Sequence, residues 1–397
     1  MDDPPARYLR ASVTSDALAS RKMAFISGPR QVGKTTLAKS LLAADDSYFT
    51  WDETKFRISW ARSPASAIAS RGPGPIVLDE IHKDRRWKQR LKGLYDVDGG
   101  RTPIIVTGSA RHDVYRRGGD SLLGRYLPYR LHPLSVGERA APPAPADALG
   151  RIGDVAAVHR FADLLELGGF PEPLLAASVQ RAARWSRLRV DRILNEDVRD
   201  LRNVGDGEAL RVMVELLPER VGSLLSLNAL REDVGIAFGT AKAWLSVLES
   251  LYYAFTIRPF TGRVARSLRA EPKLYLYDVL QIPREAAGAR LENLTALHLL
   301  KACHYWTDTA EGAFELRFLR DKEKREVDFV VLRDRKPWLL VECKSNETDP
   351  APALLHWMKH FPGVPAFQLT TKPHHRSFPG HGGLRVVSYE KFLAALV

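Results

Sequence analysis

Residues 28–36 read Gly28-Pro29-Arg30-Gln31-Val32-Gly33-Lys34-Thr35-Thr36, a glycine-rich stretch that ends in a lysine and two hydroxyl residues. Its spacing is the phosphate-binding P-loop pattern, and a strand-like run precedes it while a helix-like run follows it. The pattern predicts that the backbone N–H groups of residues 28–36 close around the phosphates of ATP. Lys34 is expected to reach the β- and γ-phosphates, and the Thr35 hydroxyl is expected to bind Mg²⁺. A structural glycine turn is the alternative.

An acidic strand end predicts the second half of this nucleotide site. The apolar run 75–78 ends in Asp79 and Glu80. We expect Asp79 to hold Mg²⁺ through water and Glu80 to act as the base that polarises the attacking water, as in an ATP hydrolase. The next strand-like run ends near Ser109, whose hydroxyl, or that of Thr107, is a candidate sensor of the γ-phosphate. A hydroxyl at a strand end could equally cap a helix.

A glycine-flanked segment beyond that strand contains Arg116, Arg117 and Arg125. An arginine in such a segment could neutralise the charge that develops on the ATP of a neighbouring subunit, and Arg125 is the favoured candidate. This arginine-finger role requires a homo-oligomer. A solvated loop with no catalytic role is the alternative.

The composition is that of a globular protein with an unusual charge. The 397 residues are 45% hydrophobic and 27% charged, and the net charge is +12. This charge favours a polyanionic partner, DNA first, although a genome that favours arginine is the alternative. The two cysteines form no CxxC pair, which argues against a disulfide framework and a zinc site. Because no basic and apolar leader and no long apolar run occur, we expect a cytoplasmic protein with no membrane partner.

The order of strand-like and helical runs predicts an α/β protein with four regions. Residues 1–140 alternate the two kinds of run and should form a P-loop core with a parallel sheet. An Ala/Pro-rich linker over 140–146 follows, and 152–221 should be a helical lid or linker region. Residues 222–278 should form a winged helix, and 279–397 return to an α/β pattern.

The winged-helix prediction depends on caps and on a basic hairpin. Ser226 should cap one helix, 235–239 should form the turn, and Thr240 should cap a second helix. Strands over 254–259 and 273–277 would flank an arginine-rich tip. Helix, turn, helix and basic wing is an arrangement that binds DNA, although it can also serve only for packing. The candidate DNA-binding residues are Lys242, Arg263, Arg266 and Arg269.

A second group of carboxylates lies near the C-terminus. Two strands joined by a short hairpin should bring Asp328 and Glu342 to one face, and Lys344 follows on the same side. Two carboxylates can hold Mg²⁺ at a scissile phosphate while a lysine positions water, and Glu292 could supply a third carboxylate. The pattern favours a site of nuclease ancestry. An ion-paired hairpin edge is the alternative.

Taken together, these motifs give the chain a resemblance to a known family. It resembles the prokaryotic AAA+-superfamily ATPases that carry a winged-helix middle and a C-terminal domain related to PD-(D/E)xK nucleases. The resemblance implies an ATPase core, a winged helix and a nuclease-like end over 279–397, without a settled activity. Cys343 and the residues after Asp278 depart from the family pattern. The motifs that carry the resemblance are Gly28–Thr35, Leu78–Glu80, Thr107–Ser109, Leu123–Arg125, His132–Ser135, Gly168–Glu172, Asn195–Val198, Tyr277–Asp278, Glu292–Asn293, Glu326–Phe329 and Glu342–Lys344.

Three functions are compatible with the sequence. The leading hypothesis is an oligomeric, Mg²⁺-dependent ATPase that couples hydrolysis to the binding or remodelling of duplex or branched DNA. The second is an ATP-gated nuclease that cleaves DNA at a site formed by Asp328 and Glu342. The third is a signalling switch in which the nucleotide controls a protein partner.

Overall fold

The computed structural model describes residues 7–108, 122–140, 161–197, 206–262 and 264–397, without the side chains of 140, 196–197 and 264–266. The chain divides into two compact units, Met1–Pro133 and Leu134–Val397. Ser109, Arg116, Arg117 and Arg263 lie outside the described residues, as does the side chain of Arg266. In the part that is described, no helix has the length and apolar character needed to cross a membrane.

A parallel sheet forms the centre of the first unit and confirms the predicted α/β core. Its described strands follow the order β2-β3-β4-β1-β5, and each neighbouring pair is parallel. The central strands are buried along their whole length, which explains their continuous apolar sequences. The bounds are β1 Met23–Ser27, β2 Tyr48–Thr50, β3 Ile76–Asp79, β4 Ile104–Gly108 and β5 Tyr126–Arg130.

Short helices connect these strands. Trp60, Trp87 and Leu91 on two of them pack against one face of the sheet in a core that also contains Phe25. Because β1, β3 and β4 are parallel, their carboxyl ends lie at one edge of the sheet. The described helices of this unit are α1 Leu9–Ser12, α2 Lys34–Lys39, α3 Thr54–Arg62, α4 Pro64–Ala67 and α5 Trp87–Asp98, with a π-helical turn at Val13–Leu18 and 3₁₀ turns at Asp45–Ser47 and Ile81–Lys83.

Helices dominate the first half of the second unit. The ion pair between Glu138 and Lys301, which Ser135 also contacts, is buried inside this unit. The described helices are α6 Val136–Ala140, α7 Phe161–Leu167, α8 Pro171–Leu175, α9 Val179–Arg192, α10 Gly207–Leu216, α11 Leu227–Val234, α12 Phe238–Ser250, α13 Val264–Arg269, α14 Ala287–Asp308, α15 Pro352–His360 and α16 Tyr389–Ala395. A π-helical turn lies at Ile193–Asp197, and 3₁₀ turns lie at Pro218–Arg220, Val279–Gln281 and Pro379–His381.

One mixed sheet crosses most of the second unit. Its described strands follow the order β12-β13-β11-β10-β9-β8-β6-β7. The β9–β10 pair is an antiparallel hairpin, as the sequence predicts, with a bulge between Pro337 and Leu339. The bounds are β6 Ala254–Pro259, β7 Lys273–Leu276, β8 Phe314–Arg320, β9 Glu326–Arg333, β10 Lys336–Cys343, β11 Ala366–Thr370, β12 His375–Phe378 and β13 Leu384–Ser388.

The helix-turn-helix segment differs from the sequence expectation in three details. Ser226 caps α11 by accepting a hydrogen bond from the Ala229 N–H, as predicted. The second helix starts at Phe238, so Thr240 lies within its first turn instead of capping it. The expected hairpin tip contains a helix, α13, because its apolar and basic residues have helical spacing.

The third difference concerns the sheet. Strand β6 pairs in parallel with β8 through Arg258 and Pro259, so strands from both sides of residue 278 share one sheet. The division into two compact units places its boundary at Pro133 and draws none near 222 or 279. The four-region organisation therefore stays a prediction.

Candidate functional site

The loop between β1 and α2 has the backbone geometry of a tight cradle. Gly33 and Gln31 have positive φ angles of 94° and 62°. At Gly28, where φ is 155°, an added Cβ would lie 2.2 Å from the carbonyl oxygen of Leu131. A side chain at this position would force the loop away from β5, which explains why the first residue of the pattern is glycine.

The lysine of the pattern is the first residue of α2, and its side chain contacts this loop. The Nζ atom of Lys34 donates to the carbonyl oxygens of Gly28 and Pro29 at 2.9 and 2.7 Å. The side chain is buried, and these carbonyls help to solvate its charge. An ammonium group held above the loop in this way is placed to exchange carbonyl oxygens for phosphate oxygens.

Asp79 is the centre of a hydroxyl network at the carboxyl edge of the sheet. Its Oδ2 accepts hydrogen bonds from Thr35 at 3.0 Å and from Tyr48 at 2.7 Å, and Thr107 donates to its Oδ1. Burial raises the pKa of Tyr48, and the neighbouring Asp79 raises it further, so this phenol stays a neutral donor. The buried carboxylate is thus fixed in one orientation beside the Thr35 hydroxyl.

The donor set at this edge fits Mg²⁺. The Thr35 hydroxyl and the Asp79 carboxylate are oxygen ligands of the type this ion prefers, and they lie within one hydrogen bond of each other. Lys34, at the start of α2, places an ammonium group beside the same loop, a charge suited to a triphosphate. The predicted residues Lys34, Thr35 and Asp79 are therefore brought together in the structure.

Glu80 follows Asp79 and has an unusual backbone. Its φ and ψ are 54° and 24°, the left-handed region that non-glycine residues seldom adopt, and its N–H donates to the Thr107 carbonyl at 2.9 Å. Its Oε2 lies 3.4 Å from Nε2 of His82. Burial lowers the pKa of His82, so the imidazole is a neutral neighbour of the Glu80 carboxylate. Strained residues of this kind occur often at functional sites.

Arg125 lies at the other edge of the same sheet. It precedes β5, and its carbonyl accepts from the N–H of Met23 at the start of β1. The P-loop follows the opposite end of β1, about 17 Å away at about 3.3 Å per residue. The guanidinium forms two hydrogen bonds to Asp96, at 2.7 and 3.2 Å. Arg125 therefore does not reach the nucleotide site of its own chain.

The carboxylates predicted near the C-terminus do lie together. The N–H of Asp328 donates to Oε2 of Glu342 at 3.3 Å, and Lys344 forms an ion pair with Glu342 at 2.6 Å. Glu292 joins them through Lys273, whose Nζ lies 3.0 Å from Glu292 Oε1 and 3.3 Å from Asp328 Oδ1. Within the described ranges, no three His, Cys, Asp or Glu side chains are arranged as ligands of a metal ion. The metal role of Asp328 and Glu342 stays a prediction.

Two of the predicted DNA-binding residues line a groove. Lys242 on α12 and Arg269 at the end of α13 border a groove of about 440 Å³, together with Arg258 from β6. Lys242 and Arg269 are exposed, as is Phe238 at the start of α12. Glu249 and Glu271 also line this groove, so its charge is mixed.

Three segments of the chain match known protein families. Residues 20–140 match an AAA domain, which is the segment that contains the P-loop and Asp79. Residues 158–279 and 287–392 match two domains of unknown function (DUF8612 and DUF4143). The first match and the parallel sheet support an AAA+-type P-loop ATPase domain in the first unit.

The curated relatives are uncharacterized proteins. One from Mycobacterium tuberculosis is 25% identical over 374 residues, which are 89% of this chain and 79% of the relative. One from Haemophilus influenzae is 24% identical over 57% of each chain. Among solved structures, the Orc1 protein of Aeropyrum pernix in complex with DNA is 16% identical, with a TM-score of 0.31, over 75% of this chain and 94% of that one. The RuvB Holliday junction branch migration motor of Thermotoga maritima is 17% identical, with a TM-score of 0.32, over 66% and 94%.

Sequence reasoning missed residues that contact the predicted ones from elsewhere in the fold. Tyr48 belongs to a strand that had no assigned role, yet its hydroxyl binds Asp79. Lys273, Tyr275 and Glu326 complete the C-terminal cluster, in which Tyr275 donates to Glu292 at 2.8 Å and Lys273 contacts Glu326 at 2.6 Å. Alternation along β9 places Glu326 on the same face as Asp328, a signal that the sequence contained.

Proposed function

We propose that this chain is a Mg²⁺-dependent ATP hydrolase that couples hydrolysis to the binding or remodelling of DNA as an oligomer. The observation that carries the hydrolase part is the Thr35–Asp79 hydrogen bond of 3.0 Å beside the buried Lys34. A hydroxyl, a carboxylate and an ammonium group at one sheet edge are the groups that phosphoryl transfer requires.

Each residue at this edge has a distinct role in the proposal. Lys34 leaves the carbonyls of Gly28 and Pro29 and binds the β- and γ-phosphates. Thr35 and, through water, Asp79 would hold Mg²⁺, which would neutralise charge on the phosphate oxygens. Glu80 would orient and polarise the attacking water, and the backbone hydrogen bond of its N–H to Thr107 holds this residue at the end of β3.

The DNA part of the proposal is supported by charge and by topology. The net charge is +12, and helices α11 and α12 are joined by a turn at Gly235 whose φ is 76°. The exposed Lys242 and Arg269 border one groove between the second helix and the strand pair β6–β7. This arrangement resembles a winged helix, in which a helix enters a DNA groove and the wing contacts phosphates.

An oligomer is proposed because of Arg125. Its position at the sheet edge opposite the P-loop excludes action on the ATP of its own chain, and Leu123 beside it is 71% exposed. In an oligomer, this edge of one subunit would face the P-loop edge of the next, and Arg125 would then exchange Asp96 for the γ-phosphate.

ATP turnover with and without DNA tests the proposal. The wild type and Lys34→Ala are compared in the presence of single-stranded, duplex and four-way-junction DNA. We expect turnover by the wild type alone, with stimulation by duplex or junction DNA. Turnover that no DNA stimulates would refute the DNA part and favour a nucleotide-controlled protein partner, while the hydrolase part would stand.

A further inference from the structure

Lys273 of β7 lies among three carboxylates of the C-terminal cluster. Its Nζ atom is 2.6 Å from Glu326 Oε1, 3.0 Å from Glu292 Oε1 and 3.3 Å from Asp328 Oδ1. The side chain is only 3% exposed. The three carboxylates come from helix α14 and strand β9, so separate parts of the unit converge on one nitrogen atom.

The number of partners matches the chemistry of an ammonium group. Lysine has three N–H donors and no acceptor, and here three carboxylates each provide one oxygen. The distances, from 2.6 to 3.3 Å, are those of ion pairs between an ammonium group and carboxylates, whereas Mg²⁺ takes oxygens at about 2.0–2.1 Å in an octahedron. The central position between the carboxylates is thus filled by a side chain of the same protein.

Other carboxylate oxygens of the cluster also have cationic or N–H partners. Lys344 is paired with Glu342 at 2.6 Å, and Arg320 is paired with Glu326 at 2.5 Å. The N–H of Cys343 donates to Asp328 Oδ2 at 2.9 Å. Three cationic side chains therefore surround four carboxylates, and the negative charge that would attract a divalent cation is largely neutralised.

We propose that the ammonium group of Lys273 takes the place of the divalent cation in a nuclease-like carboxylate site. The native chain then binds no divalent cation at Asp328 and Glu342 and does not cleave DNA there. The cluster is a latent metal site, which the replacement of Lys273 by an uncharged side chain of similar length opens. This inference does not depend on ATP hydrolysis in the first unit.

The test measures Mn²⁺ binding by the loss of the free-ion electron paramagnetic resonance signal, without nucleotide. Wild type, Asp328→Asn, Lys273→Met and the double variant are compared, with Lys336→Met as the control for loss of an exposed lysine. We expect wild type and Asp328→Asn to bind alike. Lys273→Met should gain one Mn²⁺ site at least about tenfold tighter than any wild-type binding, and the double variant should lose it.

Two results would overturn the proposal. One is a Mn²⁺ site in the wild type that Asp328→Asn removes, since the ammonium would then not exclude the metal. The other is a folded Lys273→Met protein that binds no additional Mn²⁺. If circular dichroism shows that Lys273→Met does not fold, the comparison of wild type with Asp328→Asn still decides whether the native cluster binds metal.

Discussion

The hydroxyl of Thr35 donates a hydrogen bond to Asp79 across 3.0 Å. The strand that precedes Thr35 and the strand that ends at Asp79 are not neighbours in the sheet. Thr35 lies in α2, which follows β1, and Asp79 ends β3, with β4 between the two strands. The contact exists because parallel strands end at the same edge, where the helix after β1 turns back over β4 and β3. The geometry therefore joins two motifs that are 44 residues apart in the chain.

Replacing Asp79 by Asn should reduce ATP turnover by about 100-fold or more, because the amide keeps hydrogen bonds but loses the charge that holds Mg²⁺. The measurement is steady-state turnover across a Mg²⁺ titration, in which the variant should also require more Mg²⁺. Asp52→Asn, which changes an exposed carboxylate paired with Lys83 at 2.8 Å, is the control. An Asp79→Asn protein with wild-type turnover would show that this carboxylate does not hold the ion.

Arg125→Ala should lower turnover by about a thousandfold if Arg125 acts on a neighbouring subunit. A mixture with Lys34→Ala should recover part of the activity, because some interfaces then combine an intact P-loop with an intact Arg125. Arg101→Ala, which removes a largely exposed arginine near Asp98, is the control. The trans role is ruled out if Arg125→Ala alone has wild-type turnover, or if mixing never restores activity.

Charge reversal at Lys242 or Arg269 should weaken DNA binding by about 10-fold or more and reduce its dependence on salt, because fewer phosphates are neutralised. Fluorescence anisotropy with labelled duplex DNA at low and moderate salt measures both effects. Lys336→Glu makes the same charge change at the exposed β9–β10 turn and is the control. Equal losses in all three variants would point to net charge instead of a defined interface.

The second unit should lose stability on acidification because of His298. This buried imidazole accepts from the Val136 N–H at 3.1 Å and contacts the Leu294 carbonyl, near Lys301 and Glu138. Burial lowers its pKa to about 4. The folded state thus binds fewer protons than the unfolded state below pH about 6.5, so stability is lost as pH falls from about 6.5 to 4, by on the order of 3 kcal/mol.

Urea denaturation at several pH values tests this prediction. His298→Gln keeps a neutral acceptor, so it should reduce the slope of unfolding free energy against pH within that window, whatever its effect at neutral pH. His360→Gln, which replaces an exposed histidine, is the control. An unaltered slope in His298→Gln would assign the acid sensitivity to other groups.

The P-loop half of the molecule was largely predictable from sequence. Buried parallel strands need continuous apolar runs, and the run 75–78 locates β3 to within about a residue. The geometry of the loop follows from local spacing, because Gly33 ends the loop and α2 begins at the next residue. The contact of Tyr48 with Asp79 was not predictable, because it depends on which strands become neighbours.

The C-terminal cluster was predictable from sequence only in part. The hairpin register places Asp328 near Glu342, and that could be inferred from alternation along two adjacent strands. Lys273 lies 55 residues before Asp328, and its sequence context predicts the start of a strand beside an arginine-rich hairpin tip. Its burial results from the pairing of β6 with β8, a long-range parallel contact that no local pattern indicates.

The most direct test of the account is Mg²⁺-dependent ATP turnover by the purified chain. Wild type is compared with Lys34→Ala, Glu80→Gln and the exposed control Lys55→Ala, each with Mg²⁺ and with EDTA. We predict turnover by wild type and Lys55→Ala that EDTA abolishes, no turnover by Lys34→Ala, and nucleotide binding with little turnover by Glu80→Gln. Wild-type protein that neither binds nor hydrolyses ATP, or Lys34→Ala protein that turns over like wild type, would contradict the account.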